Sequence, residues 1–106
     1  VAEKGPFAEV FFRFDESKMR TEEKRKLKER IASLDPGVPV EVEGYACKIG
    51  TRPYNMKLSM RRAKSVAAYI KSLGVTVASV SWHGEDGSQE GPLKKHRKAV
   101  IQVKER

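Results

Sequence analysis

Two consecutive arginines, Arg61 and Arg62, follow a segment rich in turn-forming residues and indicate a site for an acidic ligand. The segment between Gly44 and Pro53 predicts an irregular loop, in which glycines allow backbone N–H groups to come close to a ligand. A helix predicted to open near Asn55 places both arginines in its first two turns. Because helical side chains lean toward the N-terminus, at least one guanidinium can reach back over the loop and bond a carboxylate.

Side chains that support catalysis or metal binding are not found at suitable spacings. Cys47 is the only cysteine, and the two histidines, His83 and His96, are far from it in sequence. A thiol nucleophile needs an aligned base, and zinc sites need clustered ligands such as C-x-x-C or H-E-x-x-H. We therefore predict no enzymatic activity, no metal and no cofactor, and we interpret Cys47 as a small residue packed at the end of a strand.

Alternating and helical patterns of apolar residues predict the elements that position this loop. Apolar residues at every second position are typical of half-buried strands, and spacings of three and four indicate helices. We predict strands over residues 7–14, 39–47, 75–83 and 99–104, and helices over 21–34 and 55–73. This order predicts an α/β fold of the two-layer α+β type, βαβαββ, with two main helices on one face of a four-stranded mixed sheet.

Local signals refine several of these elements. Thr21 is predicted to be the N-cap of the first helix, because glutamates follow it in the first turn. The basic residues of that helix are interpreted as a solvated face, since glutamates are interspersed and no aromatic side chain is available for stacking. Gly74 is a natural stop for the second helix. A change of register is expected near Ala78 in the third strand, and residues 85–92 are interpreted as a polar loop.

Residues 44–63 resemble the signature of OmpA-like C-terminal domains. The family pattern is G-[HY]-[TA]-D-x-x-G-[ST]-x-x-[YL]-N-x-x-L-S-x-x-R-A, and this chain reads GYACKIGTRPYNMKLSMRRA over the same length. Every position matches in register except that of the aspartate, where the chain has Cys47. Residues 12–18 (FRFDESK) are similar to the family's first strand, and His96-Arg97-Lys98-Ala99 occupies the place of N-R-R-V before the last strand.

The resemblance implies a module that binds peptidoglycan non-covalently and anchors an envelope protein to the cell wall. It also implies a location in the periplasm, at the outer membrane or cell wall of a Gram-negative bacterium. In the family, the loop aspartate and an arginine fifteen positions later hold the diaminopimelate residue of the stem peptide, and that arginine corresponds to Arg62. The ligand-binding residues implied by the resemblance, with the loop around them, are Glu16, Ser17, Cys47, Lys48, Ile49, Gly50, Asn55, Arg62 and Arg97.

The cysteine at position 47 leaves two variants of this function open. A thiol is a weak hydrogen-bond acceptor, whereas a carboxylate accepts several bonds. The domain therefore has either an altered peptide specificity, or has lost binding and serves as a scaffold or protein-interaction domain. Simpler interpretations of single residues also stay open: Arg62 as a buried anchor or a surface charge, Ser17 as a turn residue, and Arg97 as part of a charged guard on an edge strand.

Length and composition fit one small domain with a strongly basic surface. The chain has 106 residues, of which 34% are charged, and a formal net charge of +8. This charge raises a rival function, a basic module for nucleic acid or anionic lipid, which predicts a long, salt-dependent phosphate contact surface. We expect the compact pocket instead, with no nucleic-acid partner and no membrane-spanning segment. We also expect one domain over residues 1–106 that belongs to a larger envelope protein, and we leave a homodimer open.

Overall fold

The computed structural model describes residues 6–35, 37–85 and 92–104. Its elements, in chain order, are β1 (Ala8–Phe11), α1 (Thr21–Ile31), β2 (Val40–Gly44), α2 (Arg52–Ser72), β3 (Val77–Trp82), a short 3-10 helix (Leu93–His96) and β4 (Lys98–Val103). The strands form one sheet in the order β1-β4-β2-β3, in which β2 and β3 are parallel and the other neighbours antiparallel. The expected βαβαββ order, with two main helices and a four-stranded mixed sheet, is confirmed.

Strand β4, the last in sequence, lies in the middle of the sheet. Ile101 in β4 is opposite Ala8 of β1 on one side and opposite Val42 of β2 on the other. The edges of the sheet are therefore β1 and β3. The interpretation of Arg97 and its basic neighbours as the guard of an edge strand is wrong, because the strand that they precede is paired on both sides.

The hydrophobic core lies between the sheet and α2, and α1 closes it on the β1 side. Val42 and Ile101 face each other across β2 and β4, and both are fully buried. The alternation that predicted β2 is confirmed, since Glu41 and Glu43 are partly exposed between buried neighbours. Helix α2 contributes residues at helical spacing: Ala63, Val66, Ala67 and Ile70.

Helix α2 begins earlier than the sequence pattern indicated, at Arg52. Thr51 is its N-cap, and the threonine side chain accepts a hydrogen bond from the Tyr54 N–H at 3.2 Å. Pro53 suits this first turn, because its φ is preset and its missing N–H is not needed there. The earlier start places Arg62 about three turns into the helix rather than in the first two. No helix in the described part of the chain is long and apolar enough to cross a membrane.

Helix α1 begins at Thr21 without the side-chain cap that the sequence predicted. The N-cap is Arg20, and no side chain caps this helix. The prediction for Thr21 is wrong because the first backbone bond of the helix, from the Lys24 N–H, is accepted by the Arg20 carbonyl at 3.0 Å. Thr21 is thus already a helical residue.

We expect the two threonines to differ in their effect on stability. Thr51→Ala removes a side-chain cap and should lower the free energy of unfolding by about 1 kcal/mol. Thr21→Ala is the matched control and should change it by less than about 0.5 kcal/mol. Urea unfolding of both variants measures the difference, and equal losses would contradict the assignment of the caps.

Strand β2 ends where it passes closest to α2. A Cβ atom at Gly44 would lie 2.0 Å from the Ser59 carbonyl oxygen and 3.0 Å from the Cβ atom of Ala63. The Ser59 Oγ in turn accepts a hydrogen bond from the Gly84 N–H at 2.8 Å. The missing side chain at Gly44 therefore lets α2 lie directly over the end of β2, and the segment after β3 is bonded to the same turn of the helix.

The register change expected near Ala78 is confirmed. Val40 is opposite Val77, whereas the next residue of β2, Glu41, is opposite Ser79. Ala78 is consequently an extra residue in β3. It brings Val80 opposite Val42, on the face of the sheet that packs against the helices.

Candidate functional site

Arg62 is completely buried. It lies at the end of the sheet where strands β1 and β2 terminate. Its Nε donates a hydrogen bond to the Glu16 carbonyl oxygen at 2.8 Å, and its Nη1 donates to that of Tyr45 at 3.1 Å. Its Nη2 donates to the Arg13 carbonyl oxygen at 3.2 Å. One guanidinium therefore holds the β1–α1 connection and the segment after β2 together. The surface-charge interpretation of Arg62 is wrong.

The guanidinium of Arg62 retains hydrogen-bond donors that the protein does not use. It has five N–H groups, of which three bond the carbonyl oxygens. Within residues 6–35, 37–85 and 92–104, no further acceptor bonds it and no carboxylate forms an ion pair with it. The Phe12 ring covers one side, with its centroid 5.3 Å from the guanidinium carbon. The two remaining donors can serve an acidic group.

Burial lowers the pKa of Arg62 from its ordinary value to about 10, because water no longer solvates the positive charge. Among nearby groups, Cys47 raises this pKa, Arg97 lowers it and Asp15 raises it. The guanidinium remains protonated at neutral pH. An anion placed next to it would offset part of the lost solvation, so the site favours negative charge.

The loop between β2 and α2 has a buried side and an exposed side. Cys47 is a free thiol with an exposed fraction of only 4%, and it lies close enough to Arg62 to influence its pKa. Lys48, Ile49 and Gly50 are exposed. Gly50 has a φ of 98°, which favours glycine and turns the chain toward the helix. The predicted loop residues are thus divided between the interior and the surface.

Asn55 and Glu85 form a polar pair that sequence reasoning did not bring together. Asn55 is 1% exposed, and its Nδ2 donates a hydrogen bond to Glu85 Oε1 at 2.9 Å. Arg52 Nη1 bonds the other oxygen of this carboxylate at 3.2 Å. Glu85 follows Gly84, whose carbonyl oxygen accepts a hydrogen bond from the Ala46 N–H at 2.7 Å. The carboxylate therefore lies beside the loop that contains the other predicted residues.

The sequence contained a signal for Glu85 that the prediction missed. Glu85 was assigned to a polar loop over residues 85–92, of which residues 86–91 lie outside the described part of the chain. However, β2 and β3 were both predicted as strands, and the carboxyl ends of parallel strands meet at one edge of a sheet. The residues directly after β3 are therefore expected near the loop after β2.

The remaining predicted residues lie at the same end of the sheet, after β1 or before β4. Glu16 and Ser17 belong to the β1–α1 connection, and Glu16 contributes its carbonyl oxygen, not its carboxylate, to Arg62. Arg97 Nε donates to the Phe12 carbonyl oxygen at 3.1 Å, and the Phe12 N–H donates to the Arg97 carbonyl oxygen at 2.8 Å. Arg62 and Arg97 thus hold neighbouring parts of one backbone segment.

This arrangement is suited to binding a ligand with both kinds of charge. The guanidinium groups of Arg62 and Arg97 suit carboxylates, and the Glu85 carboxylate suits an ammonium group. In the part of the chain that the structure describes, no group of three or more His, Cys, Asp or Glu residues is placed to hold a metal ion. The site therefore contains side chains of both charges, each held by hydrogen bonds to the protein.

Comparison with known proteins identifies relatives over nearly the whole chain. The model of the OmpA family matches residues 11–106. The peptidoglycan-associated lipoprotein of Pasteurella multocida (strain Pm70) is 35% identical over 101 residues, which cover 87% of this chain and 67% of that protein. Outer membrane protein A of Bordetella avium is 42% identical over 71 residues, covering 64% of this chain and 36% of that protein. The match thus spans little more than a third of the Bordetella protein.

Solved structures share the fold. The peptidoglycan-associated lipoprotein from Burkholderia pseudomallei superposes with a TM-score of 0.75 at 25% identity, covering 91% of this chain and 89% of that chain. The C-terminal domain of Helicobacter pylori MotB superposes with a TM-score of 0.74 at 16% identity, covering 98% and 87%; this likeness concerns the fold alone. With the family match over residues 11–106 and the Pasteurella relative, these findings show that the chain belongs to the OmpA family.

Proposed function

We propose that this domain binds peptidoglycan non-covalently and anchors a larger envelope protein to the cell wall. The Pasteurella relative is named a peptidoglycan-associated lipoprotein, and the Bordetella relative an outer membrane protein. These names support a periplasmic location at the outer membrane. The observation that carries the proposal is Arg62, a buried, protonated guanidinium with two unused N–H groups at the signature loop.

The proposed ligand is the stem peptide, whose diaminopimelate residue carries carboxylate and ammonium groups. Its carboxylates bond Arg62 and Arg97 in this proposal. Glu85, which Asn55 and Arg52 hold in place, accepts the ammonium group that the missing aspartate at position 47 does not. The exposed side of the loop and the β1–α1 connection form the entrance, through Ser17, Lys48, Ile49 and Gly50.

Access of the ligand to Arg62 requires a movement of the residues that cover it. Arg62 has an exposed fraction of 0%, whereas Lys48 and Ile49 in the adjacent loop are exposed. If only a fraction of molecules has this loop open, the apparent affinity falls in proportion to that fraction. We therefore expect weaker binding than for a pocket in which Arg62 is already accessible.

Titration with a diaminopimelate-containing muropeptide, followed by NMR, tests this function. We expect saturable chemical-shift changes over residues 45–62. Glu85→Gln should weaken binding by about tenfold, because a charged hydrogen-bond acceptor is lost. Cys47→Asp should strengthen it by about tenfold or more, because a carboxylate is placed beside Arg62.

The control for this titration is Arg61→Gln, which removes an exposed charge next to Arg62 and should leave the affinity unchanged. Thermal unfolding of each variant verifies that the fold is kept. If neither the wild type nor Cys47→Asp shows saturable shifts, peptidoglycan binding by this pocket is ruled out.

A second candidate function, a scaffold or protein-interaction domain without ligand binding, is favoured by two observations. Cys47 replaces the loop carboxylate, and Arg62 is fully buried with three backbone partners. In this case Arg62 serves only as an anchor for the loops. Binding that appears in Cys47→Asp but not in the wild type would identify this function.

The basic surface of α1 gives little support to a polyanion-binding module. Arg25 Nη1 lies 3.5 Å from Glu29 Oε2, and Glu23 lies close to Arg20 and Lys26. Interspersed acids weaken the attraction for a chain of phosphates. We propose no nucleic-acid partner. The absence of enzymatic activity and of a cofactor stays a prediction. The question of a homodimer stays open.

A further inference from the structure

A cavity of about 370 Å³ beside the edge strand β1 has four cationic side chains in its wall. Its lining residues, which we call the basic pocket, are Phe11, Phe12, Arg13, Arg20, Lys94 and Arg97. None of these residues is acidic. The function proposed above uses only Arg97 of this set, so the purpose of the other three cations needs its own explanation.

Three connections of the fold converge to build the basic pocket. Arg13 follows β1, Arg20 precedes α1, and Lys94 lies in the 3-10 helix before β4. This short helix is tied to β1, because Arg97 Nε donates to the Phe12 carbonyl oxygen at 3.1 Å and the Phe12 N–H donates back to that of Arg97 at 2.8 Å. The cations are therefore brought together by fixed backbone, not by flexible side chains alone.

Within the described residues, only Arg20 of these four cations has a carboxylate beside it. Arg20 Nε is buried and has no hydrogen-bond partner in the described structure, and Arg20 Nη2 is 3.6 Å from the carboxylate of Glu23. Glu23 is 7% exposed, and its other oxygen accepts a hydrogen bond from the Phe11 N–H at 3.1 Å. Among the described residues, no carboxylate pairs with the other three cations of the pocket. A buried donor without an acceptor is costly, so an anion that reaches Arg20 stabilises the pocket.

We propose that the basic pocket binds a phosphate group. A phosphate monoester carries nearly two negative charges at neutral pH and offers three strong acceptor oxygens, which suit the forked donors of arginine. A single carboxylate would leave most of the four cations unpaired. Phe11 and Phe12 supply an apolar wall for the organic part of the ligand. The phosphate comes from inorganic phosphate or from a lipid headgroup, and the proposal does not depend on peptidoglycan binding at Arg62.

Titration of the whole chain with inorganic phosphate, at constant ionic strength set with sodium chloride, tests the site. We expect saturable NMR shifts at residues 11–13, at Arg20 and at residues 94–97. Arg20→Gln and Lys94→Gln should each weaken binding by about tenfold, because each removes a charge-assisted hydrogen bond. Lys95→Gln is the matched control, since it removes the same charge from an exposed neighbour that does not line the pocket.

Vesicles of phosphatidylcholine with and without phosphatidic acid distinguish the two sources. Binding of inorganic phosphate in the pocket, lost in Lys94→Gln and kept in Lys95→Gln, supports the proposal for free phosphate. Binding only to vesicles that contain phosphatidic acid, with the same pattern in the two variants, supports it for a lipid headgroup. Binding to neither probe, or equal loss in both lysine variants, overturns the proposal, because total charge then explains the result. Muropeptide binding by Arg20→Gln shows separately whether the Arg62 site is intact.

Discussion

Replacing Gly44 by alanine is expected to lower the free energy of unfolding by about 3 kcal/mol, the upper end of the range for overpacking. The added Cβ would lie 2.0 Å from the Ser59 carbonyl oxygen, which is a backbone atom in the middle of α2. A flexible side chain could turn away, but here the whole helix must move off β2. Ala63, whose Cβ would be 3.0 Å away, restricts that movement. Urea denaturation measures the loss.

Gly37→Ala is the matched control for this substitution. Gly37 has a φ of 84°, and a Cβ there would meet no atom within 4 Å. Its replacement should therefore cost only the conformational penalty of a positive φ, about 1 kcal/mol. If both glycine variants lost the same stability, the close approach of α2 to β2 would not be the cause.

Arg62→Met should lower the free energy of unfolding by about 3 kcal/mol and abolish muropeptide binding. Three carbonyl oxygens lose their donor, and each hydrogen bond to a charged group contributes about 1.5–3 kcal/mol. Against this, burial of the charge opposes folding, and it lowers the pKa of Arg62 to about 10. The hydrogen bonds outweigh the burial of the charge, so removal is destabilising.

Arg61→Met, at the exposed neighbour, is the control and should change stability by less than about 0.5 kcal/mol. Arg62→Lys separates charge from geometry, since lysine keeps the charge but has one nitrogen for three carbonyl oxygens. It should be less stable than the wild type and more stable than Arg62→Met. Equal stability of the two methionine variants would contradict the anchoring role of Arg62.

The pKa of Arg62 also fixes the sign of its contribution to pH dependence. The folded pKa, about 10, is below the ordinary pKa of arginine, so the unfolded chain binds this proton more tightly. The energetic cost of the buried charge is therefore fully present at neutral pH and is relieved only as the pH rises above about 10, toward the ordinary pKa of arginine. A bound anion relieves the same cost at neutral pH, which explains why an acidic ligand should raise the melting temperature.

The sequence predicted the fold well because the spacing of apolar residues shows which side of a helix or strand is buried. The alternation around Val42 located β2, and the helical spacing of Ala63 and Ile70 located the inner face of α2. Patterning does not report which strands are neighbours, since β4 has the same alternation at an edge or in the centre. The observed helix caps also differ from the predicted ones. The N-cap is the residue whose carbonyl accepts the first helical hydrogen bond, and in α1 this residue is Arg20 rather than Thr21.

The candidate site was harder to predict because its arginines form their hydrogen bonds with backbone carbonyl oxygens. The position of Arg62 beside the inner face of α2 indicated a buried anchor, but the carbonyl oxygens that it bonds belong to residues whose side chains are irrelevant to the contact. Glu85 and Asn55 are 30 residues apart in sequence and meet only because two parallel strands end together. Contacts of this kind follow from the order of the strands, so they could be predicted only by recognising that β2 and β3 are parallel neighbours.

The central position of β4 determines when this domain can fold during synthesis. β1 is the first of the four strands to be synthesised, yet its partner in the sheet is β4. Ala8 can therefore pair with Ile101 only after β4 has been made. Contacts between such distant residues require the closure of a long loop and slow the folding reaction. The growing chain therefore carries an unpaired strand until its last strand emerges. Because Arg97 arrives with β4, the core and the bond from Arg97 to the Phe12 carbonyl oxygen are completed together, and an unfinished chain lacks both.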